Sequence, residues 1–163
     1  MSRSRLAGKK ILVVGAAGNL GPRWVRALAE ESVLVLATGL GVDSDTELAA
    51  ASVQYPQQVK LAELDITQNV DVDALFSTLG VAGPIDGIVF NSGIDAIPGT
   101  GHTKLEDYDR DEWARIFTVN LFGIVSTFNL LVPWLANPSS VVVLGSLYGI
   151  VSPKPGLYSH FND

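Results

Sequence analysis

The sequence predicts an α/β fold: one doubly wound parallel sheet, strand order 3-2-1-4-5, in three α/β/α layers. Three observations predict it. Five short apolar runs alternate with segments of helical period. The runs are apolar at consecutive positions, as in strands buried on both faces. A turn with glycines at every third position, Gly15-Ala16-Ala17-Gly18-Asn19-Leu20-Gly21, joins the first run to the first helical segment. Right-handed crossovers then wind the sheet in both directions from its first strand.

Lys10-Ile11-Leu12-Val13-Val14 is the first strand. In the helix that follows, Leu20, Trp24, Val25 and Leu28 share one face. Pro22 is tolerated there because first-turn N–H groups have no intrahelical partner. Residues 32–37 form the second strand, and Asp43, Ser44 or Asp45 caps a helix running through Leu48 and Val53. Residues 59–64 form the third strand, ending at Asp65-Ile66-Thr67. Val72, Leu75, Phe76 and Leu79 make a helical stripe closed by Gly80. Residues 85–90 form the fourth strand, ending at Asn91-Ser92-Gly93, and a loop covers 94–108. A long helix follows over about 109–135, with Asp109 and Asp111 at its positive end. Residues 140–144 form the fifth strand, ending at Gly145-Ser146.

A doubly wound sheet binds ligands at the carboxyl ends of its strands, where the strand order reverses. Gly15–Gly21, Asp65, Asn91–Gly93 and Ser146 all fall on that edge. In the glycine turn, Gly15 takes angles closed to other residues. Gly18 lets an anion approach the backbone, and Gly21 lets the helix lie against the strand. The helix end adds N–H donors and partial positive charge. This is a phosphate cradle suited to a dinucleotide, and a dinucleotide implies redox chemistry. A tight β–α turn with no ligand is the competing reading.

These motifs, in this order, resemble the short-chain dehydrogenase/reductase family over nearly the whole chain. The resemblance implies a Rossmann-like domain binding NAD or NADP. Gly15, Ala17, Gly18, Asn19, Leu20 and Gly21 would hold the cofactor phosphates. Asp65 and Ile66 resemble the family's adenine contact, and Thr38 stands near the ribose at the end of the second strand. Asn91-Ser92-Gly93 resembles an Asn-Asn-Ala-Gly segment, with Ser92 and Gly93 as departures. Phe117-Thr118-Val119-Asn120-Leu121 resembles the helix carrying the catalytic-site asparagine, and Val143-Leu144-Gly145-Ser146 the strand ending in the catalytic serine. Ser146 would bond the substrate oxygen and Asn120 would help hold a proton-relay water. Asn120 as a backbone-bonded polar residue and Ser146 as a plain strand end are the alternatives.

The family also uses a tyrosine and, four residues later, a lysine. Tyr158 stands near the tyrosine position, but Asn162 occupies the lysine position. Either Tyr158 is a degenerate catalytic tyrosine, or residues 147–156 open a longer loop and the Tyr–Lys pair lies beyond Asp163. Pro153, Pro155 and Gly156 favour the loop. The 163 residues then form a single domain that is the N-terminal portion of a longer one, and no turnover is expected from them alone. An NAD(P)-dependent dehydrogenase or reductase interconverting a carbonyl and a hydroxyl is the implied activity. A non-catalytic nucleotide-binding or interaction protein and a sugar-nucleotide epimerase or dehydratase are the alternatives. The end of the second strand, Ala37-Thr38-Gly39, bears no charge, so it does not choose between NAD and NADP.

Composition bounds the rest. A formal net charge of -6 argues against nucleic acid as the partner. Without cysteine there is no disulfide or thiolate site. His102 and His160 are isolated, and the carboxylates around 106–112 suit helix capping rather than a metal. The N-terminus lacks a signal peptide's apolar stretch, and no apolar run approaches the roughly 20 residues that span a bilayer. The expectation is a cytoplasmic homo-oligomer, off the membrane, acting on a small-molecule substrate, with sugar-linked ones included. Trp113, Phe117, Leu121 and Phe128 are expected in the core or at a subunit contact.

Overall fold

A computed structural model gives the fold for residues 4–95 and 109–151. Five parallel strands form one sheet in the order β3-β2-β1-β4-β5, as expected: β1 Lys10–Val14, β2 Leu34–Gly39, β3 Val59–Glu63, β4 Ile85–Phe90 and β5 Leu135–Val143. β1 lies at the centre and pairs with β2 on one side and β4 on the other. The carboxyl ends of these strands therefore diverge into loops on opposite sides of one point.

The crossovers are α1 (Gly21–Glu30), α2 (Thr46–Gln54) and α3 (Val72–Thr78), then α4 (Arg110–Phe117) and α5 (Ile124–Leu131). α1 and α2 cover one face, packing Val25, Ala29, Leu48 and Ala51 against Val13, Val35 and Ala37. α3 and α5 cover the other, where Phe76, Leu75 and Leu131 meet Leu12, Leu36, Ile88 and Phe90. The Phe76 and Trp134 rings meet edge to face at a centroid separation of 4.6 Å. Burying each such large side chain contributes about 1.5–3 kcal/mol.

Several details differ from the sequence reading. β2 starts and ends two residues later than 32–37, because Ser32 turns at φ 60° and the ladder with Lys10 begins only at Leu34. The buried face of α1 is Gly21, Pro22, Val25 and Ala29, while Leu20 and Trp24 are exposed. α2 does run through Leu48 and Val53 as expected, with Asp45, of the three candidates, as its cap. β5 starts at Leu135, but its register to β4 shifts between Ile85 and Gly87, and the regular ladder runs from Ser140 to Val143. Of the four residues expected in the core or at a subunit contact, Phe128 packs on the core as expected, and Trp113, Phe117 and Leu121 are exposed, which excludes only the core for them.

The long helix is more apolar than its uninterrupted runs imply. α4, a π-helical stretch Thr118–Gly123, α5 and a 3-10 turn Val132–Trp134 form one rod, Arg110–Trp134. The rod is 25 residues long and holds an 18-residue stretch of mean hydropathy 1.7, enough by length and composition alone to cross a membrane. Uncharged polar residues such as Asn120, Ser126, Thr127 and Asn129 interrupt the apolar run without lowering its average far. In the fold this rod is the β4–β5 crossover, with Gly123, Ile124, Thr127 and Leu131 buried. Most of the 94–108 loop, His102, His160 and Tyr158 lie outside the described residues.

Candidate functional site

The turn after β1 is built by backbone hydrogen bonds to its neighbour strand. The N–H groups of Gly15 and Ala16 both donate to the Thr38 carbonyl, at 2.8 and 2.9 Å. Gly15 sits at φ 85°, and a Cβ there would run into the Ser92 backbone. A Cβ on Gly21 would strike the Ala16 carbonyl, so α1 can lie this close only with glycine at that position. Gly18, at φ 91°, has no atom within 4 Å of the point where a Cβ would stand, which leaves room for a ligand over its backbone.

The start of α1 is chemically open. Asp45, Asp71 and Asp109 each accept backbone N–H bonds at the starts of α2, α3 and α4. Leu20, at the start of α1, provides no side-chain cap, and the first turn holds no acidic residue. Pro22 brings no N–H, and those of Arg23 and Trp24 bond the Leu20 carbonyl at 3.1 and 3.2 Å, so what this end offers an anion is the helix dipole with no carboxylate set against it.

A cleft of about 390 Å³ lies over this helix end. Gly15, Ala17, Gly18, Asn19 and Leu20 form its floor; Asp65, Ile66 and Thr67 bound one end, and Asn91, Ser92 and Gly93 the other. Of the sequence-predicted cofactor residues, only Gly21 and Thr38 are not on its walls. Gly21 acts through helix packing. Thr38 is fully buried, and its hydroxyl donates to the Val13 carbonyl at 3.1 Å. Its side chain is thus a brace between β1 and β2, and the cleft wall there is Gly39 and Leu40. Leu64, Ile94 and Val119 complete the lining. Thr67 ends the Asp65-Ile66-Thr67 segment and Val119 stands within Phe117–Leu121, neither of them expected as a site residue, and Leu64 and Ile94 carry no motif signal.

Asn91 holds the two halves of the site together. Its amide Nδ2 donates to the Gly15 carbonyl at 2.7 Å, and its Oδ1 accepts from Trp24 Nε1 at 3.2 Å. Trp24, which helical spacing assigns to the apolar face of α1, is therefore a positioning residue. Asp65 Oδ1 accepts from the Thr67 hydroxyl at 2.7 Å and the Thr67 N–H at 2.9 Å. The hydroxyl bond, then the N–H bond, holds the Asp65 carboxyl below the usual carboxylate range despite some burial.

Asn120 lies in the π-helical stretch and pairs with the Ile94 backbone in both directions, each bond 2.8 Å. A π turn adds one residue per turn and is frequent at functional sites. Here it packs Gly123 against Ile66, whose Cγ1 would lie 2.9 Å from a Cβ on the glycine. The long helix therefore braces both ends of the cleft: Asn120 fixes Ile94, and Gly123 backs Ile66. Asn120 does not itself line the cleft. Ser146 follows β5, whose last bond to β4 runs from Leu144 N–H to the Phe90 carbonyl at 2.9 Å. Ser146 is exposed, beyond the strand end neighbouring Asn91–Gly93, and outside the cleft lining.

Comparisons agree with this architecture. The chain is 33% identical over 149 residues to a 3-alpha-(or 20-beta)-hydroxysteroid dehydrogenase of Mycobacterium tuberculosis, covering 90% of this chain and 54% of that protein. It is 31% identical over 156 residues to a benzil reductase of Saccharomyces cerevisiae, covering 91% of this chain and 58% of that one. The chain thus spans little more than half the length of these relatives. Among solved structures it is similar to a short chain dehydrogenase from Salmonella enterica serovar Typhi, with a TM-score of 0.77 at 18% identity over 94% of this chain and 64% of that one. A short chain dehydrogenase from Escherichia coli complexed with NADPH gives a TM-score of 0.76 at 20% identity, over 94% of this chain and 65% of that one. Likeness at such identities shows the fold. The short chain dehydrogenase family model matches residues 9–159, and members of that family use NAD or NADP. The glycine turn, the open helix end and the strand order fit that match, and this chain belongs to the short chain dehydrogenase family.

Proposed function

We propose that this chain carries the cofactor-binding portion of an NAD(P)-dependent oxidoreductase that interconverts a carbonyl and a hydroxyl group on a small molecule. One observation carries the reading: the uncapped start of α1 opens into a cleft whose floor is Gly15, Ala17, Gly18, Asn19 and Leu20. The residues fit a dinucleotide. Asn19 and Leu20 would hold its phosphates over the open face of Gly18, whose own N–H donates to Asp45 Oδ2, with Asp65 and Ile66 at its adenine end and Asn91–Gly93 at its nicotinamide end. A bound nicotinamide would supply hydride exchange with the substrate carbon. Ser146 would hydrogen-bond the substrate oxygen, and Asn120 orients the Ile94 backbone beside that end of the cleft. A cytoplasmic, homo-oligomeric protein is part of the same proposal.

The test uses the longest form that the coding sequence provides. A Tyr-x-x-x-Lys following Ser146 supports the enzyme reading, and NAD(P)H absorbance then reports turnover with carbonyl substrates. Ser146→Ala is expected to lower turnover by roughly tenfold or more while leaving cofactor affinity nearly unchanged, because its partner is the substrate oxygen. Unchanged turnover would make Ser146 a strand end. Dinucleotide binding with no turnover, and no such pair in the coding sequence, would favour the non-catalytic alternative.

A further inference from the structure

We propose that this site takes NAD(H) in preference to NADP(H), and that the choice is made by the carboxylates of Glu63 and Asp45, which already occupy the backbone donors around its adenosine end. The inference rests on the dinucleotide reading above. With the phosphates on the α1 end, the adenosine half lies toward Gly39, Leu40, Asp65 and Ile66. NADP carries an additional phosphate on that ribose, with close to two negative charges, and needs N–H donors or cations to receive it.

Two backbone donors beside that end, and one in the neighbouring glycine turn, are taken by the protein's own anions. The Gly41 N–H donates to Glu63 Oε2 at 3.0 Å, and the Asp43 N–H leans toward Glu63 Oε1 at 3.4 Å. The Gly18 N–H donates to Asp45 Oδ2 at 3.1 Å. Asp45 Oδ1 meanwhile accepts from the N–H groups of Glu47 and Leu48, at 2.9 and 3.0 Å. One carboxylate thus caps α2 and reaches the glycine turn at once. The loop after β2 closes on Glu63 as a pocket for an anion that is already filled from within.

Among the described residues, the segments that border the adenosine end carry no cation of their own. Residues 33–59 contain no lysine or arginine, and neither does the turn over 15–22. Arg23 follows that turn, but its Nε donates to the Asn19 carbonyl at 3.3 Å, and it lines a groove with Arg26, Glu30 and Glu47. A 2′-phosphate would therefore meet carboxylates and few donors. The 2′-hydroxyl of NAD is itself a donor, and a carboxylate is a fitting acceptor for it. The acidic residue that would make this choice is absent from the end of β2, where buried Thr38 and Gly39 stand. Its role passes to Glu63 on β3 and Asp45 at the start of α2.

The test is titration of NAD+, NADP+, AMP and adenosine 2′,5′-bisphosphate against the longest available chain, wild type and with Glu63→Gln or Asp45→Asn. Both substitutions keep side-chain shape, and Asn remains a competent helix cap. Wild type is expected to bind NAD+ about tenfold or more tighter than NADP+, and AMP tighter than the bisphosphate. Each substitution is expected to narrow that ratio severalfold. Equal affinities, or tighter NADP+ through Arg23, would overturn the inference and leave the dinucleotide reading standing. A ratio unmoved by both substitutions would overturn the assignment to these carboxylates. Binding of none of the four probes would sink the dinucleotide reading and this inference with it. The wild-type ratio decides the preference even if a variant does not fold.

Discussion

Asp65 shows how one carboxylate can shape a wall and serve a ligand. Its Oδ1 is spent on Thr67, which fixes the turn after β3 beside the cleft. Asp65→Ala is expected to weaken NAD(H) binding by about 1–2 kcal/mol, the loss of a hydrogen bond to a charged group. Calorimetry showing no change would remove Asp65 from the cofactor contacts. The residues legible in the sequence are those whose role follows from backbone geometry. Gly15, Gly18 and Gly21 are such cases, because a side chain at Gly15 or Gly21 would collide with backbone and Gly18 holds a positive φ. Thr38 is less legible. A β2 placed two residues early hides the fact that its last residues still pair with β1 and β3, and that the Thr38 hydroxyl turns inward. Trp24 misleads for another reason: helical spacing counts it as apolar, while its Nε1 reaches Asn91.

Among the elements, the long rod does most to hold the site. α5 buries Leu131 completely against Ile88, Phe90 and their neighbours, while Val125 on the same helix is half-exposed. Leu131→Ala is expected to cost about 2–5 kcal/mol of stability, a lost side chain plus a cavity. Val125→Ala is expected to change it by less than about 1 kcal/mol. Denaturant melts of the two variants check this, and equal losses would mean that the helix is not docked by this face. Strands β1, β3 and β4 are legible from their apolar runs, as are the apolar stripe of α3 and its Gly80 stop. The π-helical stretch is not. Its extra residue carries no sequence signal, yet it puts Asn120 on the Ile94 backbone and Gly123 on Ile66. The start of β5 is equally hidden, because the register shift opposite Ile85 and Gly87 belongs to the pairing and not to the pattern.

For the molecule as a whole, the strand order can be read because five buried strands and right-handed crossovers leave few alternatives. What lies outside the sheet is harder to read. Val141, Val142 and Val143 on edge strand β5 are 41%, 51% and 55% exposed, and Phe117, Leu121 and Val125 are exposed along the rod. Apolar edges and faces of this kind pair with other chains. The 163-residue polypeptide is therefore expected to self-associate, measured as a sedimentation coefficient that rises with concentration. A stable monomer with a cooperative melt would contradict that expectation.

The central claim is that the cleft over the start of α1 is a dinucleotide site, and calorimetric titration of NAD(H) and NADP(H) into wild type and Gly15→Val tests it most directly. A valine side chain at this position would collide with the backbone of Ser92 and strain a φ of 85°. The expected result is saturable binding to wild type by at least one of the two dinucleotides and none to Gly15→Val, with the far-UV spectrum of the variant still that of an α/β protein. Equal affinity in both proteins, or no binding to wild type, would contradict the account.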